Sequence, residues 1–272
     1  MRQALTLVLC ALAVIATAVA ACDVSLADFG AHGNGIDFDD EALLAALAKC
    51  SEGGIITFPT GKYLLSPFEI KSNMELHLEK GSVLLATTDW SRWPVVPPLP
   101  SYPDVRSPRW ENFHAFIFNA VFLLFKQTSD RLAPFIGGSG IENSSIRGEG
   151  IIDGQGSGWW HMDGLTYGRP RLIEPMYCKN FTMVGVTVQN PPFWAMHPYV
   201  CDNVVFENIT FSAPPNSPNT DGIDPDSCSN VVIRNFNVIH CGDDAVAIKS
   251  GKDAAGRAFG KPSYNILIEG KY

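Results

Sequence analysis

The sequence predicts an all-β fold: a single-stranded, right-handed parallel β-helix closed by an N-terminal helical cap. Three observations predict it. A short-strand unit recurs along the chain, asparagine recurs at one register within that unit, and charge is scarce beside abundant turn residues. Charged residues make up 18% of the 272, against 24 glycines and 19 prolines. That balance favours short strands and turns over long surface helices.

The repeat is clearest in three stretches, Cys178–Val188, Cys201–Phe211 and Cys228–Val238. Each carries Cys-x-Asn, then apolar residues at alternating positions, then Gly or Asn five places after the first Asn. Degenerate copies flank them at Asn143–Gly148 and Asn265–Gly270. Alternation with a period of two is the signature of a strand. Gly and Asn tolerate a positive φ, so each unit reads as two short strands joined at a bend. Such a unit cannot bury its apolar face alone, and stacking successive units buries it. Equivalent asparagines would then lie one above another, about 4.8 Å apart. Antiparallel hairpins would leave that shared register unexplained.

Residues 1–20 read as a signal peptide, which places the mature chain outside the cell. Arg2 precedes an apolar run from Ala4 to Val19, and Ala18-Val19-Ala20 supplies a small-x-small cleavage pattern. Val19-Ala20-Ala21-Cys22 also fits a bacterial lipoprotein site, whereas Asn-x-Ser/Thr triplets at Asn143, Asn180 and Asn208 suit a glycosylated eukaryotic protein. Residues 21–272 form the β-helix domain. Asp39-Asp40-Glu41 before Ala42–Lys49 predicts a helix with acids at its start, and Gly53-Gly54 ends it. Strands are predicted at Ile55–Phe58, Lys62–Leu65 and Met74–Leu78. The dense apolar run Phe113–Phe125 has no such punctuation and is too short to span a bilayer. It reads as a buried helix or an insertion.

A net charge of −8 without a basic run argues against nucleic acid or an anionic membrane as partner. A monomer is expected. Six of the seven cysteines follow the leader, and an even count in an exported chain suggests disulfides of undetermined pairing. No cysteine or histidine cluster has metal-ligand spacing, so no metal is expected.

Carboxylates gather in two groups, Asn219–Asp226 and Gly242–Lys249. Aligning Asp221 with Asp244 gives a separation of 23 residues, one coil length, which stacks the two on neighbouring coils. Asp243 faces differently along the bend. Converging like charges raise at least one pKa. Glycoside hydrolysis needs such an arrangement, one carboxylic acid to donate a proton and one ionised carboxylate opposite. A gap of about 6.5–9.5 Å would admit a water and invert the anomeric centre. A calcium site is the competing reading of clustered Asp oxygens.

Asn219-Thr220-Asp221 and Gly242-Asp243-Asp244 resemble the first two signature motifs of the polygalacturonases, glycoside hydrolase family 28, whose fold is the pectin lyase-like solenoid. Asp28–Gly35 resembles that family's opening turn. Ile152–Gly156 with Trp159-Trp160, and Pro192–His197, resemble its core coils. Ser217–Cys228 in full resembles the exo-acting branch. The resemblance implies hydrolysis of α-1,4-galacturonosidic bonds in a pectic polysaccharide, with no cofactor. Asp243 would be the general acid, and Asp221 and Asp244 would activate the water. Asn219 would orient the site, and Lys249 and His197 are candidate sugar contacts, against the readings of a surface lysine and a structural histidine. The family's two further motifs, Gly-His-Gly and Arg-Ile-Lys, do not occur before the sequence stops at Tyr272. The resemblance therefore implies a C-terminally incomplete domain with weak or absent activity. Competing functions are rhamnogalacturonan or xylogalacturonan hydrolysis, a calcium-dependent lyase, and a non-catalytic carbohydrate-binding solenoid.

Overall fold

Alternating apolar residues on short strands leave one choice for burial, the interior of a stacked coil, and the chain takes it. The computed structural model describes residues 22–102, 130–161 and 167–270. The predicted leader and the apolar run 113–125 lie outside these. Three parallel walls enclose the core. The first wall has eight strands: Cys22–Ser25, Gly54–Phe58, Met74–Leu78, Glu142–Gly148, Lys179–Val184, Asp202–Glu207, Ser229–Arg234 and Tyr264–Glu269. The second has seven, from Asn34–Phe38 to Asn237–His240. The third begins with Phe68–Glu69, Ile136–Ser139 and Ile173–Met176. Single bridges continue it through Met196 and Tyr199, Ile223 and Asp226, and Val246 and Lys249.

Register follows the repeat. Ile146, Met183, Phe206, Ile233 and Ile268 pair in succession along the first wall. The first four are at most 1% exposed. Burying each such side chain contributes about 1.5–3 kcal/mol, and like stacks on like from coil to coil. Asn180, Asn203 and Asn230 take φ of 56°, 58° and 55°, and the bend at the far end of each strand uses Gly185, Asn208 and Asn235 at 82°, 55° and 52°. The asparagine amides form a ladder in which Asn180 Nδ2 donates to Asn143 Oδ1 (2.8 Å) and Asn203 Nδ2 to Asn180 Oδ1 (2.7 Å).

The predicted helix is α1, Asp40–Lys49, with Asp40 and Glu41 in its first turn. Its buried residues Ala42, Leu43, Ala46 and Leu47 join the same core at the first coils. Asp39 precedes it without capping it through its side chain; the carboxylate instead accepts from the backbone N–H groups of His32 and Gly33. A second helix, α2, Asp253–Phe259, was not anticipated.

The expected disulfides form for four of the six cysteines. Among the described residues Cys22 bonds Cys50, Cys178 bonds Cys201, and Cys228 and Cys241 are thiols. Cys178, Cys201 and Cys228 occupy one column on successive coils, so a bridge between two leaves the third alone. Burial pushes the Cys228 thiol up to about 12, which keeps it un-ionised.

Candidate active site

The third wall sets the register of the acidic groups. Ile223 bridges Val246 in parallel, so Asp221 stands beside Asp244 two residues earlier on each coil, at the predicted separation of 23. The Gly222 N–H donates to the Asp244 carbonyl (2.9 Å). Asp243 turns outward at the adjoining bend. Gly242 is required just before it, because a Cβ there would collide with the Ser217 carbonyl and the Thr220 hydroxyl. Thr220 Oγ1 in turn donates to the Ser217 carbonyl (3.0 Å) and fixes the turn that carries Asn219 and Asp221.

Asp221, Asp243 and Asp244 each present an oxygen within 4.8 Å of the others. Asp221 is buried, while Asp243 and Asp244 face solvent. All three sit on adjacent positions of two neighbouring coils. Among the described residues no other set of three acidic, histidine or cysteine residues brings ligand atoms this close together.

A positive charge already stands there. Lys249 Nζ lies 3.1 Å from Asp221 Oδ2, 3.6 Å from Asp224 Oδ1 and 4.3 Å from the centre of the Trp194 ring. Burial raises the pKa of Asp221; Lys249 opposes the rise and Asp243 adds to it. Asp224 is fully buried, and burial, reinforced by Asp221, pushes its pKa up to about 8.

Asn219 is held by a partner that sequence reasoning missed. Arg169 Nη2 donates to Asn219 Oδ1 (2.7 Å), and Arg169 Nη1 donates to the Pro192 carbonyl (3.0 Å). A guanidinium has only donors, so it fixes the amide with oxygen toward Arg169. Asn219 Nδ2 is thereby aimed at Asp243 Oδ2, 3.3 Å away.

His197 stands elsewhere than expected. It is 0% exposed, behind the wall. Its Nδ1 lies 2.8 Å from Glu174 Oε1 and its Nε2 3.3 Å from Asp226 Oδ2. With both ring nitrogens engaged by the protein, none remains for a sugar hydroxyl. Arg131 and Arg171 complete this buried network around Glu174. Burial would raise the Glu174 pKa, but the two guanidinium groups and His197 outweigh it and hold it at about 2. Glu174 and Asp226 carry no repeat signature, and sequence reasoning did not single out this pairing.

The model of the family described as Glycosyl hydrolases family 28 matches residues 113–271. A probable polygalacturonase of Vitis vinifera is 38% identical over 253 residues, covering 90% of this chain and 48% of its own length. An endo-polygalacturonase of Pectobacterium carotovorum is 29% identical, covering 76% of this chain and 50% of its own. The solved exopolygalacturonase of Thermotoga maritima superposes with a TM-score of 0.72 at 28% identity, over 92% of this chain and 60% of that one. The chain spans about half the length of the curated relatives it matches.

Proposed function

Because the chain belongs to family 28 of the glycosyl hydrolases, we propose that it cleaves α-1,4-galacturonosidic bonds in pectic polysaccharide. The observation that carries the reading is the meeting of Asp221, Asp243 and Asp244 within 4.8 Å. Asp243, steered by Asn219, gives its proton to the glycosidic oxygen as the bond to the anomeric carbon breaks. Asp221 and Asp244 hold a water and take its proton as its oxygen attacks that carbon, which inverts the configuration. Lys249 keeps Asp221 ionised for this task. We read the protein as a secreted monomer that needs no metal or cofactor and binds neither nucleic acid nor membrane. No helix among the described residues is long and apolar enough to cross a bilayer.

The test is release of reducing ends from polygalacturonate by the full-length protein and its Asp243→Asn variant. Removing a general acid should lower the rate by about 10²–10⁴, with unchanged circular dichroism and no effect of chelator. The first-formed product should be the β-anomer by NMR. Equal rates for the two proteins would refute the assignment of Asp243, and loss of activity with chelator would favour a calcium-dependent lyase. Rhamnogalacturonan and xylogalacturonan assayed in parallel decide the substrate.

A further inference from the structure

The coils treat the three Asn-x-Ser/Thr triplets differently. Asn143 and Asn180 are rungs of the amide ladder: Asn143 Nδ2 donates to Asn73 Oδ1 (3.1 Å), and Asn180 Nδ2 to Asn143 Oδ1 (2.8 Å). Asn203 Nδ2 donates in turn to Asn180 Oδ1 (2.7 Å). Each of the two amides is therefore flanked by an amide on the coil before and the coil after, about 4.8 Å away on either side.

Asn208 belongs to the other column, at the far end of the same strands. Asn235 Nδ2 donates to its Oδ1 (3.0 Å). On the preceding coil the matching residue is Gly185, whose N–H donates to the Glu207 carbonyl (3.1 Å). Gly185 itself offers no side chain to Asn208. Among the described residues no acceptor takes the hydrogens of Asn208 Nδ2, and the residue is exposed, as are Asn143 and Asn180.

We propose that Asn208 is the N-glycosylation site of this chain, and that Asn143 and Asn180 stay unmodified in the folded protein. The donor is a lipid-diphosphate-linked oligosaccharide. Asn208 Nδ2 forms a bond to the anomeric carbon of its first sugar, the bond from that carbon to the diphosphate oxygen breaks, and the lipid diphosphate leaves. The displaced amide proton passes to a base of the transferase. Oδ1 of the modified residue still accepts from Asn235, so the column survives. At Asn180 the same sugar would replace a hydrogen of an amide that already donates to Asn143 and accepts from Asn203, which crowds the ladder on both sides.

The inference stands apart from the hydrolase reading. It is tested on the full-length protein produced behind a host signal sequence in a eukaryotic secretory cell. The folded fraction is treated with peptide N-glycosidase in heavy-oxygen water, and labelled aspartates are located by mass spectrometry. We expect label at position 208 and at neither 143 nor 180. Thr210→Ala, which leaves Asn208 in place, should abolish the gel shift caused by the glycosidase. Ser145→Ala and Thr182→Ala, which spare the ladder, should leave the shift unchanged. Label at 143 or 180 in the folded fraction, or none at 208, overturns the proposal.

Discussion

Replacing Asp224 by asparagine should remove a slope from the pH dependence of stability. Asp224 is 0% exposed, neither carboxylate oxygen has a hydrogen-bond partner, and its one counter-charge, Lys249, is 3.6 Å away and shared with Asp221. Its pKa stands at about 8 in the fold, against an ordinary value of about 3.9 in the unfolded chain. Between those values the folded chain binds one more proton than the unfolded chain. The contribution to stability is therefore complete below about pH 4 and is lost as the pH rises through about 8. A difference of about four units corresponds to a ceiling of about 5–6 kcal/mol. Local relaxation and water penetration lower it, and we expect roughly 2–4 kcal/mol. Asparagine keeps the shape and carries no titrating proton, so Asp224→Asn should gain that amount over the wild type between pH 4 and 8. Urea unfolding at stepped pH reads it directly. Parallel curves for the two proteins across this window would refute the view that Asp224 is protonated in the fold.

Lys249→Met should raise the pKa of Asp221 further, because the ammonium 3.1 Å away that opposes the rise is lost; the acidic limb of kcat/KM against pH should move up with it, and an unmoved limb would contradict this. His197→Ala should cost about 3–5 kcal/mol in denaturant unfolding, since it strips Glu174 and Asp226 of a shared partner while all three are buried. Asn180→Ala should cost about 1–2 kcal/mol more than Asn180→Gly, because alanine must hold φ near 56° whereas both lose the ladder amide; equal unfolding midpoints would show that the bend is unstrained.

The Asn register made the first two walls and the Asp221–Asp244 stacking readable in advance. Apolar alternation identified the buried positions, and the recurring bend residue fixed how far apart equivalents lie. The third wall was not readable, since Met196–Tyr199 and Ile223–Asp226 each place a proline and a polar residue inside the segment, and Val246–Lys249 is too short to signal a strand alone. Arg169 was hidden for another reason. It contacts Asn219 from 50 residues away, outside any repeat, where periodicity carries no information. His197 was visible as a motif residue, but the acids that engage it, Glu174 and Asp226, meet only when three coils stack. The cysteine count left the pairing open because three cysteines fall in one column, a crowding that counting does not reveal.

The equivalent asparagines Asn143, Asn180, Asn203, Asn230 and Asn265 are 37, 23, 27 and 35 residues apart, yet the strands that carry them stay in step. Every surplus residue must therefore leave the coil as a loop. Arg169, between Asp153 and Ile173, and Asn219, between Ser212 and Asp221, lie on two of these excursions and meet beside Asp243. The barrel acts as a fixed ruler and the loops as its adjustable rim. Such an architecture can lengthen or trim the walls of its groove one loop at a time, reshaping what fits there without disturbing the carboxylates below.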